Sequence, residues 1–373
     1  MISMARISPR VFRSIIIIVS TIFGFVTLLR LHNNLSPGDS YSHLGALEQI
    51  NWSRFAYTQY ATDRSYLCNS LMIFEALDRL GSNADRLLMY PSDFLLSESD
   101  SSMEARLLRF ARDEYSVKLK PIDVIMRGGG GVSTAPWSAS YTKLLAFNQT
   151  EYDRVINLDS DATLLQAMDE LFLLPSSSVA MPRAYWLDPK DRTFTSGLML
   201  VQPSEFEFGR IMDEISNATS DVYDMEIMNK LYGDSALVIP HRPYTLLTGE
   251  FRSKNHEAYL GNTDELWDAE EILKDAKYLH FSDWPVPKPW IAATRDVINK
   301  TQPPCEVNPA TGERDDCRLR ELWLGIYKDF MTRRQVCQAP SSLGSIPYQA
   351  DLTWTECMWQ PKSLNCENTV AEM

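Results

Sequence analysis

The stretch Arg154-Val155-Ile156-Asn157-Leu158-Asp159-Ser160-Asp161-Ala162 decides how this chain reads. Val155, Ile156 and Leu158 are apolar, and the run stops abruptly at two carboxylates two residues apart. The pattern predicts a buried strand whose tip meets solvent. In open α/β sheets, ligands bind beyond the carboxyl ends of the strands. Extended backbone points Asp159 and Asp161 to one side. Two carboxylates held that close repel unless a cation lies between them. A hard divalent ion shared with a diphosphate removes the repulsion, because Mg²⁺ or Mn²⁺ accepts a few carboxylates together with phosphate oxygens. The run therefore points to a nucleotide-sugar site. Its other reading is a capped turn, since Asp and Ser also start helices well.

Outward from this run, strand and helix signals alternate. Phe55–Tyr60, Arg86–Tyr90 and Val117–Val124 read as strands, the last interrupted by Pro121. Tyr66–Leu80, Met103–Tyr115 and Tyr141–Phe147 read as helices between them. That alternation implies right-handed crossovers and a mixed, mainly parallel central α/β sheet. Beyond Asp161 the pattern changes to short strands at Ser178–Met181, Gly197–Val201, Ala236–Ile239 and Tyr278–Phe281. Helices are expected at Val222–Leu231 and Leu319–Arg333. The tract Gly128–Gly131 lacks a following Lys-Ser/Thr and reads as a mobile loop rather than a phosphate loop.

The net charge of -13 over 373 residues argues against nucleic acid as a partner. It leaves room for a phosphate ligand, because a bound divalent ion supplies positive charge locally. Ser14–Leu29 carries no charge and is bracketed by Arg13 and Arg30. A membrane span needs about 20 apolar residues, with about 17 the lower end. Val11, Phe12 and Leu31 extend the run, and the arginines snorkel. No small-residue cleavage site follows, so an uncleaved anchor is expected rather than a signal peptide. Arg6, Arg10 and Arg13 place the N-terminus in the cytoplasm and the body in the lumen, and the short span suits a thin early-secretory membrane. The expected organisation is a tail at 1–13, an anchor at 14–31, a stem at 32–50, a catalytic domain at 51–300 and a Cys-rich extension at 301–373.

Two further patterns agree with a lumenal body. Asn34, Asn51, Asn148, Asn217 and Asn299 begin glycosylation sequons. Of the six cysteines, Cys68 stands alone, and Cys305, Cys317, Cys337, Cys357 and Cys366 lie in the last 69 residues. None has zinc-site spacing, so the C-terminal group reads as disulfides stapling a loop-rich tail, with free buried thiols the alternative.

The segment His280-Phe281-Ser282-Asp283-Trp284-Pro285-Val286-Pro287-Lys288-Pro289-Trp290 bears on the carboxylates. It follows an expected strand, so His280 also sits near a carboxyl end. A neutral imidazole completes a three-ligand set for Mn²⁺ with Asp159 and Asp161. The other reading is a histidine buried at a Pro-rich turn. Lys288 is a point charge suited to phosphate. Trp284 and Trp290 are platforms for a sugar ring, or large core residues.

From Asn51 to Trp290 the chain resembles glycosyltransferase family 8, the glycogenin-like enzymes with a GT-A fold. Within that family it looks most like the fungal Golgi N-acetylglucosaminyltransferases known as glucose N-acetyltransferases. The resemblance rests on Tyr141–Asp161 followed by Met168–Phe172, on Phe194–Gly197, on Asp224–Asn229 and on His280–Trp290. It implies that Asp159, Asp161 and His280 hold Mn²⁺ on the diphosphate of a UDP-sugar. By the same resemblance Lys288 meets a phosphate, and Lys143 and Ser160 lie near the donor. Thr58, Tyr60, Thr62, Asp63 and Tyr66 match the strand and turn that hold uridine. Thr195, Ser196, Gly197, Asp224, Asn229, Trp284 and Trp290 are donor-sugar or acceptor candidates, with helix capping the other reading for Asp224 and Asn229. The implied reaction moves N-acetylglucosamine from UDP-GlcNAc to mannose of N-linked glycans on the lumenal side of the Golgi membrane, retaining configuration, with no catalytic nucleophile assigned. UDP-glucose or UDP-galactose as donor, or a non-catalytic lumenal glycan-binding protein, are the alternatives. The chain departs from the family pattern in several places. Two extra residues separate His280 from Lys288, Asp283 stands where glycine is usual, Thr195 replaces an asparagine, and Met225 replaces a glutamine.

Overall fold

Short apolar runs, β-branched and aromatic, build two sheets. The computed structural model describes residues 50–97, 100–126, 139–219, 221–307 and 311–337. The expected anchor and stem, the Gly128–Gly131 tract, Asn34, Cys357 and Cys366 lie outside the described residues. Among the described residues no helix is long and apolar enough to cross a membrane.

The main sheet uses β1 (Phe55–Tyr60), β2 (Asp85–Pro91), β3 (Lys118–Ile122), β4 (Arg154–Leu158), β6 (Val179–Pro182), β7 (Leu198–Val201) and β8 (Leu237–Ile239). A short β5 (Ala162–Leu164) follows β4 and belongs elsewhere. The strand order is β3-β2-β1-β4-β7-β6-β8. β7 runs antiparallel to both its neighbours, and the other pairings are parallel. The sheet is therefore mixed α/β and mostly parallel, as the alternation of elements predicts. Pro121 is tolerated because β3 is an edge strand, where a missing donor breaks no internal ladder.

Both faces of this sheet are covered, and β6 and β7 are apolar and buried along their whole length. Successive residues serve opposite faces. Tyr57 and Ile156 pack with Leu67, Leu71 and Phe74 of α1 (Arg64–Arg79) and with Leu107 and Leu108 of α2 (Met103–Tyr115). Ala56 and Val155 face the other way, toward Ile211 of α3 (Glu205–Asn217), Ile227 and Met228 of α4 (Asp224–Tyr232), and Tyr141, Leu144 and Phe147. The last three lie in Ser140–Asn148, which winds as a 3-10 helix instead of the expected α-helix. Tyr141, Thr142, Lys143 and Leu144 are consecutive and all buried, so the segment has no solvent face to support an amphipathic α-helix.

The smaller sheet has the order β5-β10-β9, with β9 at Leu246–Leu247 and β10 at Tyr278–His280. It rests on a separate core in which Leu246, Leu279 and Phe281 meet Trp323, Ile326 and Phe330. Those last three come from the C-terminal helix Arg318–Arg333. The cysteines pair differently from the expected staples confined to the tail. Cys305 joins Cys317 locally, but Cys337 reaches back to Cys68 on α1, 269 residues away. Asn51, Asn148, Asn217 and Asn299 are all exposed.

Candidate functional site

Asp159, Ser160 and Asp161 form the link between β4 and β5, at the carboxyl end of the main sheet. Register explains why His280 arrives there. β10 pairs antiparallel with β5 so that His280 stands opposite Ala162, and Phe281 N donates to Asp161 O at 2.9 Å. One ligand atom each from Asp159, Asp161 and His280 lies within 4.8 Å of the others. Two ligands each about 2.1 Å from a shared Mg²⁺-like ion sit no more than about 4.2 Å apart, so small side-chain rotations close the cluster. His280 Nε2 lies 3.2 Å from Asp161 Oδ1, yet this buried nitrogen makes no aligned hydrogen bond. A buried nitrogen without a hydrogen-bond partner beside two carboxylates fits a divalent metal.

Two lysines balance the carboxylates. Lys288 Nζ is 2.6 Å from Asp161 Oδ2 and donates to Phe281 O at 2.6 Å. Burial alone would raise the Asp161 pKa, but His280 and Lys288 outweigh it and hold the carboxyl far below the ordinary range. Lys143, itself buried, bridges Asp159 Oδ1 at 2.7 Å and Asp224 Oδ2 at 2.9 Å. Burial opposes its charge, and the two carboxylates overcome that and push its pKa up. Asp224 is the reciprocal case: burial pulls its pKa up, and Lys143 with Ser196 brings it below the usual value. Ser196 Oγ donates to Asp224 Oδ2 at 2.6 Å.

Tyr60 OH donates to Asp159 Oδ1 at 3.1 Å. Thr195 Oγ1 accepts from Gly197 N at 3.2 Å. A Cβ on Gly197 would touch both Thr195 Oγ1 and Asp159 Oδ2 at 3.5 Å, filling space beside the carboxylate. Ser160 is buried with its Oγ unpartnered.

Other candidates make contacts within the scaffold. Thr58 is fully buried inside β1, and its Oγ1 accepts from Asn157 Nδ2 at 3.0 Å. Asp63 caps α1 by accepting from Ser65 N and Tyr66 N, with half-buried Thr62 beside it. Tyr66 meets Trp290 edge to face, and Trp290 packs between it and Phe330. Asn229 lies inside α4, and its side chain pins Phe194 N and Phe194 O at 2.8 Å each. Trp284 is 90% exposed.

Tyr278 is a further residue of the site. Its buried hydroxyl lies 2.8 Å from Asp159 O and 3.2 Å from Gly197 O, tying the carboxylate link to β7. Its signal was its position two residues before His280, on the same face of one strand.

The chain is 46% identical over 325 residues to glucose N-acetyltransferase 1 of Aspergillus fumigatus, covering 84% of each protein. The chain belongs to the glucose N-acetyltransferase 1 family. A second relative of that name, from Gibberella zeae, is 52% identical over 303 residues, covering 79% of this chain and 65% of the longer relative. No family model matches the chain. Among solved structures it is similar to the apo form of the glycosyltransferase GlyE of Streptococcus pneumoniae, at 18% identity and a TM-score of 0.46, over 78% of this chain and 64% of that one. The Asp283 carboxylate is buried and accepts hydrogen bonds from Arg252, Trp323 and Tyr327.

Proposed function

We propose that this chain is a metal-dependent glycosyltransferase of GT-A type that moves N-acetylglucosamine from UDP-GlcNAc to mannose residues of N-linked glycans with retention of configuration. The observation that carries the reading is the convergence of Asp159, Asp161 and His280 with Lys288 at the carboxyl end of the main sheet, in a chain 46% identical to a glucose N-acetyltransferase. Mn²⁺ or a similar ion bound by these three residues supplies a Lewis acid that neutralises charge on a departing diphosphate. The chain's own groups do the rest. Asp161 is kept ionised and ready to ligate. Lys288 offers an ammonium to phosphate oxygens. Lys143 and Ser196 fix the Asp224 carboxylate beside Asp159, where it accepts from sugar hydroxyls. The uncharged run at 14–29 and the sequons support a type II Golgi protein with a lumenal body.

The deciding experiment incubates the purified chain with a mannose-containing acceptor, Mn²⁺ and each of UDP-GlcNAc, UDP-glucose and UDP-galactose, and follows UDP release. Release is expected with UDP-GlcNAc and is expected to vanish with EDTA. Release with another sugar alone would reassign the donor. No metal-dependent release with any of the three would end the enzyme reading.

A further inference from the structure

The Asp283 side chain is tied to two other segments of the chain. Asp283 lies between His280 and Lys288 in sequence, and both of those side chains reach Asp161. Arg252 donates to Asp283 Oδ1. Trp323 Nε1 and Tyr327 OH donate to Oδ2 at 2.8 and 3.0 Å. Trp323 and Tyr327 are four apart on the C-terminal helix and share one face. Arg252 also donates to Trp284 O at 3.1 Å, and Val286 N donates to Asp283 O at 2.8 Å, closing the turn that follows. Beneath it, Phe281 packs on Tyr327 and Phe330 with ring centroids 5.2 and 4.8 Å away. The turn carrying Arg252 approaches so closely that a Cβ on Gly249 would sit 3.0 Å from Ser282 O.

A lone buried carboxylate is unfavourable unless it is paired and hydrogen-bonded. This one is satisfied by three donors from two other segments, 31 to 44 residues away. Such an arrangement fixes one backbone position rigidly. The fixed position is the root of the loop that delivers Lys288 and leaves His280.

We propose that Asp283 is a positioning residue for the metal and phosphate groups, and that through it the C-terminal helix sets the placement of His280 and Lys288. This inference rests on the metal reading of Asp159, Asp161 and His280.

The test measures Mn²⁺ binding to the full chain by electron paramagnetic resonance, without any turnover, alongside thermal melting. Tyr327→Phe and Trp323→Phe each remove one donor to Asp283 without touching a site residue. Each is expected to weaken Mn²⁺ binding severalfold at temperatures where the chain is fully folded. Asp283→Asn is expected to weaken it at least as much as either helix variant. Ile326→Val trims the same helix without touching Asp283, and it is expected to lower the melting temperature and leave Mn²⁺ binding unchanged. Unchanged binding in Tyr327→Phe and Trp323→Phe, or equal weakening in Ile326→Val, overturns the positioning role while the metal reading stands. No Mn²⁺ binding by the unsubstituted chain overturns both. If Asp283→Asn does not fold, the two helix variants still decide.

Discussion

At the scale of single residues, Lys143 is the group whose loss would be felt most widely. It is buried between Asp159 and Asp224, so replacing it strands two carboxylates away from water. Breaking a buried pair in this way costs about 3–5 kcal/mol, and Lys143→Met is expected to lower the melting temperature accordingly. The pH dependence should reverse as well. In the native chain Lys143 outweighs burial and depresses the Asp224 pKa. Asp224 therefore contributes stability above its unfolded value, about 3.9, and loses it as pH falls through the folded value. Without Lys143, burial dominates and the folded pKa lies above the unfolded one. Lys143→Met should then gain stability on acidification between about pH 7 and pH 4, where the native chain gains none from this group. Melts across that range check the sign. At the same scale, Asp159→Ala combined with Asp161→Ala is expected to abolish UDP release while leaving circular dichroism unchanged. Retained turnover would sink the metal assignment.

At the scale of elements, the long strands and helices were legible because each carries one clear period. β4 shows its apolar run, and α1 shows Leu67, Leu71, Phe74 and Leu77 on one side. Two short elements at the site are not legible. β5 has three residues and β9 two, too short for any period, yet the β5–β10 register is what sets His280 beside Asp161. α3 was missed because Phe206 is exposed, acidic residues crowd its first turn, and only Ile211 is fully buried. The Ser140–Asn148 segment was misjudged because burial on all sides erases amphipathicity. Asp63 gives an element-scale prediction. It accepts from two backbone N–H groups at the start of α1, so Asp63→Ala is expected to cost about 1 kcal/mol in urea unfolding. A larger loss would mean that it does more than cap the helix.

At the scale of the whole molecule, the two sheets meet at the Asp159–Asp161 link between β4 and β5, and ligand binding there should stabilise the fold. UDP with Mn²⁺ at about 100 times its dissociation constant is expected to add about 2.7 kcal/mol, seen as a higher melting temperature. UDP with EDTA should add far less. EDTA alone should change little, because Lys143 and Lys288 already balance the site's charge. Reduction of the Cys68–Cys337 bridge is expected to cost about 2–5 kcal/mol by freeing a very long loop in the unfolded chain. Melting with and without dithiothreitol measures this. The bridge was illegible in the sequence, since nothing local marks Cys68 as the partner of a residue 269 positions later.

That long reach sets a timetable for biosynthesis. A ribosome adds about 5–20 residues per second, so Cys68 emerges well before Cys337 exists to receive it. Through that interval the Cys68 thiol lacks its native partner. A messenger cut short anywhere before codon 337 yields a chain whose first helix carries an unmatched thiol, a mark that thiol-dependent quality control is suited to recognise.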